Sequence, residues 1–107
     1  MAASRGEVYY VTFAEPVGRR PVLIVQNNTG NRFSPTTIVA HLSTSKPPSE
    51  YPFLVELDSR VLGERSWVHC ETLNTIPQTL LEDKCGALTA KEMDLVEQAL
   101  KRSLAIR

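Results

Sequence analysis

The segment that decides the architecture is RRPVLIVQNNTGNRFSPTTIVAHLST, residues 19–44. It opens with a short apolar run, PVLIVQN (21–27), whose β-branched residues and leading proline suit the start of a strand. The next residues, QNNTGNRFSP (26–35), are dense in Asn, Gly and Ser and are expected to turn the chain. PTTIVAHLST (35–44) then returns as a further strand.

Working outward toward the N-terminus, EVYYVTF (7–13) is β-branched and aromatic and reads as another core strand. AEPVGRR (14–20) links it to the central block through Pro16 and Gly18 and is expected to be a loop, with Arg20 held extended because Pro21 follows it. Toward the C-terminus, Lys46-Pro47-Pro48-Ser49 breaks the pattern, YPFLVEL (51–57) resumes it, and DSRVLGER (58–65) turns again. Ser66–Cys70 and the following ETLNTI give one more strand or a bent pair. About five short strands predict a mainly β chain forming a small barrel or rolled sheet.

The period then changes. Met93, Val96, Leu100 and Leu104 recur at spacings of three and four, the stripe of an amphipathic helix packed on the sheet. Thr89 and Glu92 form a capping-box pattern at its start, with Lys101 and Arg102 near its end, where the helix dipole favours cations. A shorter helix is expected after Pro77, with Leu80 and Leu81 facing inward.

With 107 residues and no linker or repeat, the chain is expected to be one domain over residues 1–107. The composition, 42% hydrophobic and 22% charged, excludes disordered and collagen-like classes. No apolar run approaches the roughly 20 residues of a membrane span, and MAASRGEVYY lacks the core of a signal peptide, so the expected compartment is the cytoplasm. Cys70 and Cys85 are expected as reduced thiols. Neither forms a zinc-ligand spacing with His41 or His69, so no metal and no cofactor are expected. Twelve cations balance twelve acids, yet the first 46 residues carry a net +3 and the remainder −3. A locally basic surface is therefore compatible with a neutral total.

The block RRPVLIVQNNTGNRFSPTTIV (19–39) resembles the heart of the MazF/PemK family of bacterial toxins. Arg5-Gly6-Glu7-Val8-Tyr9 is similar to the family's opening strand, Tyr51-Pro52-Phe53 to a motif of some members, and GALTAKEMDLVEQALKRSLAI to its closing helix. The resemblance spans nearly the whole chain in family order. It implies an SH3-like small barrel of the MazF/CcdB-like plasmid-maintenance type, with an amphipathic C-terminal helix, and a homodimer. It further implies a groove for single-stranded RNA and a cognate antitoxin whose acidic, flexible tail fills that groove. The implied activity is sequence-specific cleavage of messenger RNA without a metal, in which the 2′-hydroxyl attacks phosphorus to leave a 2′,3′-cyclic phosphate and a 5′-hydroxyl.

The family's active-site arginine corresponds to Arg20. A guanidinium holds its charge and binds phosphate bidentately, which suits transition-state stabilisation first and acid chemistry second. The family's catalytic threonine falls on Ser43, a departure that keeps the hydroxyl but loses the β-branch, with Thr44 in reserve. His41 lies two residues before Ser43, on the same strand face, and is either a general base or a histidine of the barrel surface. Glu71 and Thr72 stand where the family has Glu-Gln in contact with RNA bases, and threonine cannot read a base edge as glutamine does. Gln26, Asn27, Asn31 and Arg32 fall in the matched turn, as RNA contacts or as turn-forming residues. The first loop is shorter than in many members, and Arg19 beside Arg20 is either a replacement phosphate contact or a solvated charge. Two other classes share this fold: a gyrase-inhibiting, CcdB-like topoisomerase poison, and a catalytically impaired barrel that only binds RNA or protein.

Overall fold

The computed structural model describes residues 2–107. Six antiparallel strands form one sheet in the order β4-β5-β3-β2-β1-β6, curled into a half-barrel and accompanied by two helices. In chain order these are β1 (Glu7–Phe13), β2 (Gly18–Ile24), α1 (Asn28–Phe33), β3 (Thr36–Ser43), β4 (Leu54–Leu57), β5 (Ser66–Pro77), β6 (Lys84–Ala87) and α2 (Ala90–Ser103). The mainly β, rolled architecture expected from the sequence is the one observed.

Both faces of the sheet are apolar near its centre. On one face Val8, Leu23, Ala40, Leu42 and Val68 are buried beneath Val96 and Ala99 of α2. On the other, Val11, Val22, Ile24, Val39 and Ile76 form a smaller cluster closed by Ala3. The alternation along β2 and β3 divides these two sets, as the two-residue period of a strand requires. The capping box at Thr89 and Glu92 is formed and starts α2. Leu104, however, is the C-cap residue and is exposed, and the buried residues of α2 are Val96 and Ala99.

Four further expectations need correction. The first loop is only residues 14–17, and Gly18, Arg19 and Arg20 already belong to β2, paired with Phe13, Thr12 and Val11. Gly18, with φ of 73°, takes the left-handed turn position that a side chain would strain, which lets β2 begin so early. The turn at 26–35 contains the short helix α1, because the Asn27 side chain accepts from the Gly30 N–H and caps it. The segment after Pro77 is a single 3-10 turn, Gln78–Leu80, with Leu80 exposed and only Leu81 packed inward. It leads into β6, an unpredicted four-residue edge strand beside β1.

Gln78 is the joint that the sequence pattern did not reveal. Its Nε2 donates to the carbonyls of Asn31 (2.7 Å) and Ser34 (2.9 Å), and its Oε1 accepts from the Ala3 N–H (2.9 Å). One side chain thus ties the N-terminal segment to the C-terminal end of α1.

Candidate active site

The β2–β3 ladder has only three pairs, Ile24 with Val39, Leu23 with Ala40, and Val22 with His41. It stops at Pro21, which has no N–H to continue it. Carried two residues further, the same register sets Arg20 opposite Ser43. Where the strands part, a groove of about 630 Å³ opens, lined by Arg20 and Pro21 on one side and by His41, Leu42, Ser43 and Thr44 on the other. Tyr10, Arg19, Ser45, Leu62, Glu64 and His69 complete its walls.

The two arginines differ in their commitments. Arg19 donates through Nε to Glu82 (3.0 Å) and through Nη2 to Asp83 (2.9 Å), and its guanidinium lies 4.2 Å over the Tyr10 ring. The Glu82 hydrogen bond pushes the Arg19 pKa upward, and the Thr12 hydroxyl, followed by Arg19, holds the Glu82 carboxyl below its usual range. Arg20 is exposed and, among the described residues, has only its neighbour's carbonyl as an acceptor, with Nη1 3.2 Å from Arg19 O. Among the described residues no carboxylate pairs with it. Arg20 is therefore a free cation at the mouth of the groove, and Arg19 is an anchored one.

On the facing wall, the Ser43 hydroxyl accepts from the Ser45 N–H at 3.1 Å, so its own proton is still available to a ligand oxygen. His41 is half-buried, stacked on Phe13 at 5.1 Å between ring centroids, with Nε2 2.5 Å from Asn74 Oδ1. His69 stands directly opposite His41 in the β3–β5 ladder, with its Nδ1 3.2 Å from Glu71 Oε2. Phe13 and Asn74 are not expected at this site from the sequence, and His69 is expected only to share a strand face with Glu71, which it does. Their proximity depends on strand register, which no local motif announces.

The remaining candidates lie outside the groove walls. Asn31 is buried and fully engaged: Oδ1 accepts from Thr37 Oγ1 (2.7 Å) and Gln26 Nε2 (3.1 Å), while Nδ2 donates to Gln26 O (3.0 Å) and Asn28 Oδ1 (3.3 Å). It has no polar group left for a ligand, so its RNA contact is corrected to a role in the α1 connection. Gln26 spends its amide nitrogen there, donating to Asn31 and to Thr36 O. Asn27 is exposed but caps α1, and Arg32 stacks on the exposed Phe33 at 5.3 Å. Glu71 and Thr72 are exposed on β5 where its register with β3 shifts. Among the described residues, no three His, Cys, Asp or Glu side chains are grouped to hold a metal, and no helix is long and apolar enough to cross a membrane.

Comparisons with known proteins identify the family. The PemK-like, MazF-like toxin family of type II toxin–antitoxin systems matches residues 4–104. The chain belongs to this family. The toxin is 41% identical to endoribonuclease EndoA of Bacillus subtilis, over 99% of this chain and 97% of that protein. It is 35% identical to endoribonuclease MazF of Staphylococcus epidermidis, over 95% and 91%. Among solved structures, an endoribonuclease in complex with its cognate antitoxin, from a mycobacterial species, superposes with a TM-score of 0.86 at 28% identity, covering 99% of the toxin and 98% of that chain. The curled antiparallel sheet with its two helices is thus the architecture of a MazF-like toxin.

Proposed function

We propose that this toxin is a metal-independent endoribonuclease that cuts single-stranded RNA in the groove between β2 and β3. The observation that carries this reading is Arg20, an unpaired guanidinium on a rigid strand, set opposite the Ser43 hydroxyl across the gap. In the reaction the 2′-hydroxyl loses its proton to a base, for which His41 is the candidate, and its oxygen attacks the adjacent phosphorus. The bond from phosphorus to the 5′-oxygen breaks, and that oxygen takes up a proton. A 2′,3′-cyclic phosphate and a 5′-hydroxyl result. Arg20 neutralises the charge gathering on the non-bridging oxygens, and Ser43 donates a hydrogen bond to one of them. Thr44, exposed beside Ser43, is the reserve hydroxyl.

Arg19 enters as a secondary phosphate contact, since Glu82 and Asp83 already compete for it. Arg32, Asn27 and Gln26 enter as RNA contacts only beyond the groove, whereas Glu71, bonded to His69 of the groove wall, and its neighbour Thr72 are the candidates for base reading. The toxin is taken to act as a single-domain homodimer in the cytoplasm. Its partner is a cognate antitoxin whose acidic, flexible tail competes for Arg20. The relatives' names as endoribonucleases and the structure of one with its antitoxin support these assignments.

The test is incubation of the purified toxin with a long single-stranded RNA in EDTA, followed by mapping of 5′-hydroxyl ends. Cleavage that disappears in Arg20→Ala is expected. No cleavage by wild type, or equal cleavage by Arg20→Ala, overturns the reading. Cleavage only after magnesium is added overturns the mechanism.

A further inference from the structure

His41 is held on two sides in a way that the Arg20–Ser43 pair does not require. Its ring lies on Phe13, 5.1 Å between centroids and 27° from parallel, and its Nε2 is 2.5 Å from Asn74 Oδ1. An amide oxygen can only accept, so Nε2 carries the proton and donates it, and Nδ1 is left as the ring's lone-pair nitrogen. Asn74 reaches the ring diagonally from its place opposite Val39. Three residues of β5, Cys70 to Thr72, lie in the register shift between Ala40 and His41, so Thr72 is removed from the position opposite His41. The bulge therefore gives the ring a different set of neighbours from those a regular ladder would supply.

We infer that Asn74 and Phe13 are positioning residues that fix His41 as its Nε2–H tautomer, with Nδ1 as the general base for the 2′-hydroxyl. This rests on the endoribonuclease reading above. An acceptor on one imidazole nitrogen that orients the other toward a proton is the arrangement general-base catalysis needs. The 2′-hydroxyl proton passes to Nδ1, the 2′-oxygen bonds to phosphorus as the 5′-oxygen departs, and solvent water protonates the leaving oxygen. The proton on Nδ1 then returns to solvent, so the cycle closes. The charged and titratable groups that share the groove with His41 are Arg19 and Arg20 from β2, Tyr10 from β1, His69, with Glu71 behind it, from β5, and Glu64 from the loop before β5.

The test combines imidazole 15N NMR with the pH dependence of cleavage at one mapped site of a single-stranded RNA, for the full-length toxin. Wild type is expected to show the Nε2–H tautomer and an acid limb that is lost in His41→Ala, with a rate about 100-fold or more lower. Asn74→Leu, at an exposed position, is expected to mix the tautomers and slow cleavage about tenfold, and to change nothing further in a His41→Ala background. Asn74→Asp keeps the acceptor and adds a charge that favours the imidazolium, so its acid limb is expected to move to higher pH. Phe13→Leu is expected to slow cleavage without moving the limb. An unchanged tautomer and limb in Asn74→Leu, or an equal loss with and without His41, overturns the inference while leaving Arg20-dependent cleavage intact. No cleavage by wild type overturns the endoribonuclease reading and the base role together.

Discussion

Arg20 and Ser43 stand on opposite walls of a gap, each two residues beyond the last β2–β3 pair, Val22 with His41. Both stand on strands, so their separation is set by the hydrogen-bonded ladder behind them rather than by a loop. Sites carried on rigid elements hold their geometry more closely than sites on loops.

The two neighbouring arginines are therefore expected to separate in function. Arg20→Ala removes the free guanidinium and is expected to lower the cleavage rate about 10²–10³-fold, with Arg20→Lys recovering part of it. Arg19→Ala breaks the exposed pairs with Glu82 and Asp83 and is expected to cost less than about tenfold. Single-turnover rates of the three variants on one RNA check this, and equal losses would contradict it.

Ser43→Ala is expected to lower the rate about 10- to 100-fold, the worth of one hydrogen bond to a charged oxygen. Ser43→Thr keeps the hydroxyl and adds the β-branch that limits its rotamers. It is expected to cut at least as fast as wild type. A Thr variant as slow as the Ala variant would remove the hydroxyl from the reaction.

Asn31→Ala tests the structural role of this side chain in the α1 connection. The substitution leaves the Thr37 hydroxyl and the Gln26 amide short of partners inside the molecule, an expected loss of about 2–3 kcal/mol in unfolding free energy. Denaturant unfolding measures this directly. RNA affinity of the folded variant is expected to stay within about twofold of wild type, since no polar atom of Asn31 faces a ligand.

Glu7 gives stability a pH dependence. Burial pushes its carboxyl up, but Lys84 Nζ at 2.7 Å, the Ser4 N–H and the Tyr9 hydroxyl together hold it below the usual value of 4.5. A pKa lower in the folded state than in the unfolded one contributes stability above the unfolded value, and the contribution is lost as pH falls through the folded one. Glu7→Gln is therefore expected to lose about 1 kcal/mol at pH 7, after discounting for the exposure of Lys84, and progressively less below pH 4.5. Thermal melts at pH 7 and pH 3 check the sign.

Burial, with a smaller contribution from Glu71, pushes the Cys70 thiol up to about 11. Desolvation likewise raises Cys85, against a hydrogen bond and the Arg19 charge. The thiolate is the reactive form. Thiol reagents at pH 8 are expected to modify Cys70 only as the protein unfolds, and Cys85 slowly. Rapid labelling of Cys70 in the native toxin would contradict its place in the core.

The sequence made the strands legible wherever alternation or β-branching was strong, as in Glu7–Phe13, and made α2 legible through its cap and its stripe. It concealed α1, because Asn, Gly and Ser favour both a turn and a short capped helix. It concealed β6, whose four residues are too few to display a period. Arg20, Ser43 and His41 were nameable from the family block and from strand spacing. The partners of His41 were not. Phe13 of β1 and the β5 residues His69 and Asn74 come from two distant stretches of chain and meet His41 only through the ladders and the shift at Ala40, which are long-range pairings with no local signature.

Pro21 deserves a different description in this light. A sheet edge is ordinarily the rim of a molecule, where unpaired main-chain groups invite other chains and are kept short or covered. By withholding one N–H, Pro21 sets such an edge in the middle of the sheet, like a zip stopped partway. The fork is held open by covalent structure, and the arginine at its root needs no closing motion to stay apart from the serine it faces.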